Sequence, residues 1–315
     1  MPRSIVLSND LEPLFAPYRD CMTVLHVRDH GGPDDGDRPV LLLLHAASRS
    51  LADWDAVAPH LTAGHRVLAV DLPGHGRSAA TSWSFGAVLS DLDETLGALG
   101  VSGAVVPVGH SLGGMVAALY AAERPDLVSG AVNLDGFWWG TPAQYPGLDA
   151  GEVTRRLAEI GDLARASAGQ QMPAQYVEQQ ATYSMGLGIP YERAEASFRA
   201  SVRELDDGRW QLLPERECAL EMLDALDGLD LFALFRRVPC PLLLVRALHR
   251  VPPTPGLEWL DELLEAYGQG LARDLAELAA KRAGVTAQGI GATHAMLLEV
   301  PEQVAELVRG FVARL

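Results

Sequence analysis

The sequence predicts an α/β protein: a mostly parallel sheet flanked by helices and interrupted by a helical insertion. Three observations carry this. Short β-branched or leucine-rich runs alternate with segments of helical periodicity. The run Pro39 to Leu44 is apolar throughout instead of alternating, as a strand buried on both faces must be. A long later stretch abandons this alternation for helical patterns broken repeatedly by proline and glycine.

Taken in order, Met22 to Arg28 reads as the first strand. Asp29 to Arg38, with three glycines and one proline, reads as an exposed turn. Strands are expected at Pro39 to Leu44, Val67 to Val70, Val105 to Val108 and Val128 to Leu134, then at Leu242 to Val245 and Val285 to Ile290. Leu112 to Glu123 reads as a helix. So does Pro301 to Leu315, which has proline in its first turn and Val304, Leu307, Val308 and Phe311 on one face. Between Phe137 and Phe235 the pattern is helical, punctuated by Pro142, Pro146, Gly151, Gly161 and Pro173. The expected organisation is a core of residues 1–136 and 233–315, with a helical cap inserted at 137–232.

Composition bounds what such a protein does. The chain has 315 residues, 48% of them hydrophobic, which is enough for a large core and excludes a disordered chain. Acids outnumber bases, 41 to 25, and the formal charge of −16 repels nucleic acid and anionic membranes. No run approaches the ~20 apolar residues of a membrane helix, and the N-terminus lacks the apolar stretch of a signal peptide. A soluble cytoplasmic protein is the expectation. Cys21, Cys218 and Cys240 are far apart, without metal-ligand spacing, and read as free thiols. There is no phosphate-binding Walker loop, dinucleotide fingerprint or zinc spacing, so metal- and cofactor-free chemistry is expected.

One motif carries chemistry. Gly109-His110-Ser111-Leu112-Gly113-Gly114 follows the strand Val105 to Val108 and opens the helix at Leu112. A Gly-x-Ser-x-Gly between a strand and a helix forces a turn so tight that its flanking positions exclude almost any side chain. The serine hydroxyl is pushed clear of the sheet, and the Leu112 amide lies at a helix N-terminus, where a developing oxyanion is stabilised. The bland alternative is a glycine-rich turn whose serine merely caps the helix.

With these residues in view, the chain resembles an α/β-hydrolase. Leu42-Leu43-Leu44-His45 resembles the strand that ends at that family's oxyanion loop. Asp71-Leu72-Pro73-Gly74-His75-Gly76-Arg77-Ser78 resembles a characteristic loop after the next strand. Pro239-Cys240-Pro241-Leu242-Leu243-Leu244-Val245 resembles the strand after the cap. Ala292-Thr293-His294 with Leu298-Glu299-Val300-Pro301-Glu302 resembles the histidine loop and final helix. The resemblance implies Ser111 as nucleophile and His294 as its base, with the Leu112 and Ala47 amides as the oxyanion hole. His45 is expected to anchor the oxyanion loop, and His75 and His110 to serve packing and loop hydrogen bonds.

The acid departs from the common pattern. Family members often carry it after the strand that follows the cap. Arg246-Ala247-Leu248-His249-Arg250-Val251-Pro252-Pro253 contains no carboxylate, and Glu258 and Asp261 lie further on in a helical stretch. Asp135 ends the strand after the nucleophile's, where a subset of the family, including some polyketide-releasing thioesterases, keeps its acid. An aspartate there can accept the base's N–H and hold its tautomer; otherwise it caps the turn into the insertion. Trp138 and Trp139 follow at once, and the insertion adds Tyr183 and Met185, read either as the walls of an apolar acyl site or as core.

The function expected is a serine hydrolase of a carboxylic ester or thioester. Its partner is a small-molecule acyl substrate, and the protein itself is expected to be a monomer or homodimer. C–C bond hydrolysis or lysis on the same triad stays open, as does a slow-turnover ligand-binding homologue.

Overall fold

The computed structural model of the chain describes residues 25–34, 36, 38–80, 82–251, 256 and 258–315, together with the backbone of residues 19–22. The strands of the main sheet are β1 (Arg19–Met22), β2 (His26–Asp29), β3 (Val40–Leu44), β4 (Val67–Val70), β5 (Val105–His110) and β6 (Ala131–Leu134), followed after the insertion by β10 (Leu242–Ala247) and β11 (Val285–Ile290). Their spatial order is β1-β2-β4-β3-β5-β6-β10-β11. β1 and β2 run antiparallel to their neighbours, and the other six are mutually parallel.

Leu41 to Leu44 are fully buried, and their alternation assigns them to opposite faces of the sheet. Leu42 and Leu44 pack with α1 (Phe85–Ala98) and α2 (Leu112–Glu123). Leu41 and Leu43 pack with Val304, Val308 and Phe311 of α10 (Pro301–Val312). Each fully buried leucine contributes about 2 kcal/mol of hydrophobic stabilisation. Two layers of helix on one sheet account for most of the core.

The expected strands at Val67, Val105, Leu242 and Val285 are present, and α2 has the expected bounds. Several edges differ. The strand expected over Met22 to Arg28 is two, β1 and β2, with residues 23 and 24 between them outside the described residues. β5 extends through Gly109 and His110, and β6 begins at Ala131 because Val128 makes only an isolated bridge to Val105.

The insertion contributes α3 (Ala150–Ser167), α4 (Tyr176–Met185), α5 (Tyr191–Ala200) and α6 (Arg216–Asp227). It also holds a three-stranded antiparallel sheet of β7 (Gln171–Met172), β8 (Val202–Glu204) and β9 (Trp210–Leu212), which the helical reading omits. The next helix, α7 (Leu231–Arg237), buries Leu231, Leu234 and Phe235 in the main core beside α2. The expected boundary at residue 232 therefore falls inside a core helix. Helix α8 (Glu258–Lys281) precedes β11, and α9 (Met296–Glu299) precedes α10. No helix among the described residues is long and apolar enough to cross a membrane.

Candidate active site

The carboxyl ends of β3, β5, β6, β10 and β11, neighbours in the sheet, carry Ala47, Ser111, Asp135, Ala247 and His294 within or just past them. Ser111 stands between β5 and α2 with φ 52° and ψ −117°, and its side chain gives α2 no capping hydrogen bond. The serine is thus not retained as a cap. Its amide donates to Leu134 O of β6 at 2.8 Å.

The glycines are explained by close approach. A Cβ on Gly109 would lie 1.9 Å from Gly113 O, and one on Gly113 would lie 2.2 Å from Leu44 O. The start of α2 is pressed against the end of β3, and Gly113 N–H donates to His45 O at 3.1 Å. This contact brings the loop of Ala46 and Ala47 to the helix N-terminus. Neither the Leu112 nor the Ala47 amide has a hydrogen-bond partner among the described residues.

Asp135 also has a positive φ, 52°. Asn133, fully buried two residues earlier, holds that turn from both sides: its Oδ1 accepts from Gly136 N–H at 2.7 Å and its Nδ2 donates to Gly136 O at 3.0 Å. The Asp135 amide donates to Val245 O at 2.7 Å, and Ala247 N–H donates to Asp135 Oδ1 at 2.8 Å. The other oxygen, Oδ2, lies 2.7 Å from His294 Nδ1. An ionised carboxylate only accepts, so Nδ1 carries the imidazole proton and Nε2 is left as the basic nitrogen. Burial alone would raise the Asp135 carboxyl. The His294 hydrogen bond and charge, with the Ala247 amide, overcome this and hold it below the usual carboxylate range.

The backbone around His294 is anchored by His110, in the packing and loop hydrogen bonding expected of it, and by Glu299. His110 Nε2–H donates to His294 O at 2.8 Å, with the two rings 4.7 Å apart. Burial, reinforced by the neighbouring His294, pushes His110 down to about 3, so it stays neutral. Glu299 accepts from Thr293 N–H at 3.0 Å and from the Thr293 hydroxyl. His294 itself is 55% exposed at its side chain. For Asn133 the sequence offers only nearness to Asp135; its bonds are made by the fold.

The other candidate residues are dispersed. Trp138 and Trp139 are half-buried. Trp138 donates its indole N–H to Asp227 and accepts from Tyr267 OH at its carbonyl, and the Trp139 carbonyl accepts from Tyr145 OH. Tyr183 and Met185 are exposed on α4, at 56% and 55%. A groove of about 910 Å3 is lined by Phe137, Trp138, Leu231, Phe232 and Tyr267, and none of Ser111, Asp135 and His294 lines it. Glu258 and Asp261 lie in the first turn of α8 and make no bond to His294.

A serine in a tight strand–helix turn at the centre of a mostly parallel sheet lies one strand from Asp135, which is bonded to a histidine two strands further on. The chain belongs to the alpha/beta hydrolase family, which it matches over residues 41–307. The pimeloyl-[acyl-carrier protein] methyl ester esterase of Methylococcus capsulatus is 29% identical over 290 residues, 88% of this chain and 96% of that enzyme. Lipase LipV of Mycobacterium tuberculosis is 38% identical over 159 residues, 50% of this chain, so the chain spans only 54% of that relative's length. Among solved structures, E-2-(acetamidomethylene)succinate hydrolase superposes with a TM-score of 0.68 at 22% identity, covering 94% of this chain and 99% of its own, a likeness of fold.

Proposed function

We propose that the chain is a serine hydrolase that cleaves a carboxylic ester or thioester of a mostly apolar acyl group. The observation that carries this is the 2.7 Å bond between Asp135 Oδ2 and His294 Nδ1, beside a serine held at φ 52° with no capping role. Ser111 Oγ attacks the acyl carbon while His294 Nε2 takes its proton. The oxyanion is held by the Leu112 and Ala47 amides, and Asp135 stabilises the imidazolium. His294 then protonates the leaving group, and water repeats the sequence on the acyl-enzyme.

The residues from 137 to the start of α7 act as the cap that shapes the acyl site, with Trp138, Trp139, Tyr183 and Met185 as its candidate walls. The esterase and lipase names of the relatives support ester cleavage. A thioesterase that releases a biosynthetic product is the narrower form, favoured by the position of the acid after β6. The test is labelling by a fluorophosphonate and burst release from p-nitrophenyl butyrate. Wild type is expected to do both and Ser111→Ala neither; a wild type inert to the probe, beside an authentic esterase that labels, rejects the reading.

A further inference from the structure

The Ala47 amide is presented by the turn Ala46–Arg49, closed by Arg49 N–H to Ala46 O at 3.2 Å, with Ser48 inside it at φ 55°. One end of the turn is fixed from the core. His45 Nε2 accepts from Leu72 N–H at 2.9 Å, so the ring proton is on Nδ1 and is donated to Ala46 O at 2.7 Å. Burial, which lowers the His45 imidazole, keeps it in that neutral form.

The other end is fixed from the insertion. Arg49 forms a two-pronged pair with Asp53, Nε to Oδ2 at 2.9 Å and Nη2 to Oδ1 at 2.8 Å. The Ser197 hydroxyl of α5 completes a triangle, bonded to both the guanidinium and Asp53 Oδ1. The guanidinium also lies 4.1 Å over the Phe198 ring. Asp53 and Ser197 are 3% and 2% exposed, so these bonds are shielded from water. One turn earlier on α5, Arg193 donates to Leu298 O at 2.6 Å, in the short helix that follows His294. A single helix thus grips both the turn that carries Ala47 and the segment behind His294.

We infer that Arg49, Asp53 and Ser197 are positioning residues: they form a clamp through which α5 holds the Ala47 amide in register with the Leu112 amide. Helix α5 is then a fixed strut of the catalytic machinery and not a lid that swings open. The inference rests on the serine hydrolase reading and on Ala47 as an oxyanion donor. Such a donor stabilises the transition state only when it lies ~2.7–3.1 Å from the oxyanion, a position the ground-state carbonyl does not occupy. A turn freed at Arg49 relaxes, and the loss falls on kcat with little effect on KM.

The test uses Arg49→Met and Ser197→Ala in the full chain, with circular dichroism to confirm the fold. Expected are a fall in kcat on p-nitrophenyl butyrate of about 100-fold for Arg49→Met, the scale of one lost donor, a smaller fall of about tenfold for Ser197→Ala, and KM within about twofold for both. Affinity for an alkyl trifluoromethyl ketone, whose adduct on Ser111 carries the oxyanion, is expected to weaken in step with kcat/KM. In an Ala47→Pro background, which lacks the amide proton, both substitutions are expected to have no further effect. Folded clamp variants with wild-type kcat, or with ketone affinity out of step with kcat/KM, overturn the clamp while leaving the hydrolase reading intact. A wild type that neither labels nor turns over overturns both.

Discussion

At the scale of single residues, the two carboxylate oxygens of Asp135 have separate partners. Oδ1 is held by the Ala247 amide and Oδ2 receives the His294 Nδ1 proton. Asp135→Asn keeps the volume but offers an amide that can donate, so it favours the wrong imidazole tautomer. Turnover is expected to drop by about 10^4, the scale for this substitution in other serine triads, with the fold intact by circular dichroism. Asp261→Asn and Glu258→Gln serve as controls and are expected to stay within about twofold of wild type; steady-state kinetics on one ester decides among the three. What drew attention to Asp135 in the sequence was a vacancy, the absence of any carboxylate from Arg246 to Pro253. Asn133 offered no such signal. Its two bonds to Gly136 are local and common in turns, and their importance comes from the strained residue that they enclose.

At the scale of elements, the strand–helix junction at Ser111 is a contact between backbones as much as a turn. A methyl group on Gly113 meets Leu44 O at 2.2 Å, and a carbonyl at the end of a fully buried strand has nowhere to go. Gly113→Ala is expected to pry α2 from β3, lowering stability by about 3 kcal/mol or more and removing activity. Gly97→Ala, on α1 with nothing within 4 Å of its Cβ, is expected to gain up to ~1 kcal/mol from helix propensity. Urea midpoints of the two variants separate packing from propensity. These elements were legible because a fully buried strand and an amphipathic helix leave long patterns. The small sheet β7-β9-β8 was not, since strands of two or three residues carry no periodicity and are set by pairing with distant partners.

At the scale of the molecule, buried neutral histidines tie stability to pH. Burial pushes His75 down to about 3, and His110 is likewise near 3. Their unfolded values are about 6.5. Between those limits the unfolded chain binds more protons, so stability is full above pH ~6.5 and declines as pH falls below it. The slope reaches about 2.7 kcal/mol per pH unit for the two together. Asp53, Asp71 and Asp135, each held below the ordinary carboxylate value by its partners despite burial, contribute above ~3.8 and add to the loss in stronger acid. Thermal melts from pH 8 to pH 5 should show a flat midpoint and then a fall; a midpoint that rises on acidification contradicts this assignment. Relief of self-repulsion as the charge of −16 is neutralised works the other way, but through screened surface charges.

Among the described residues, the non-glycine positions with positive φ are Ser48, Ser111 and Asp135, and all three sit just past the ends of adjacent strands β3, β5 and β6. Each stores roughly 1 kcal/mol or more that a glycine there would release. The protein thus keeps its least relaxed backbone where the chemistry is proposed to occur. Improvement for heat tolerance alone, with no demand for turnover, would be drawn to these three places first and would erode the working centre before touching the scaffold.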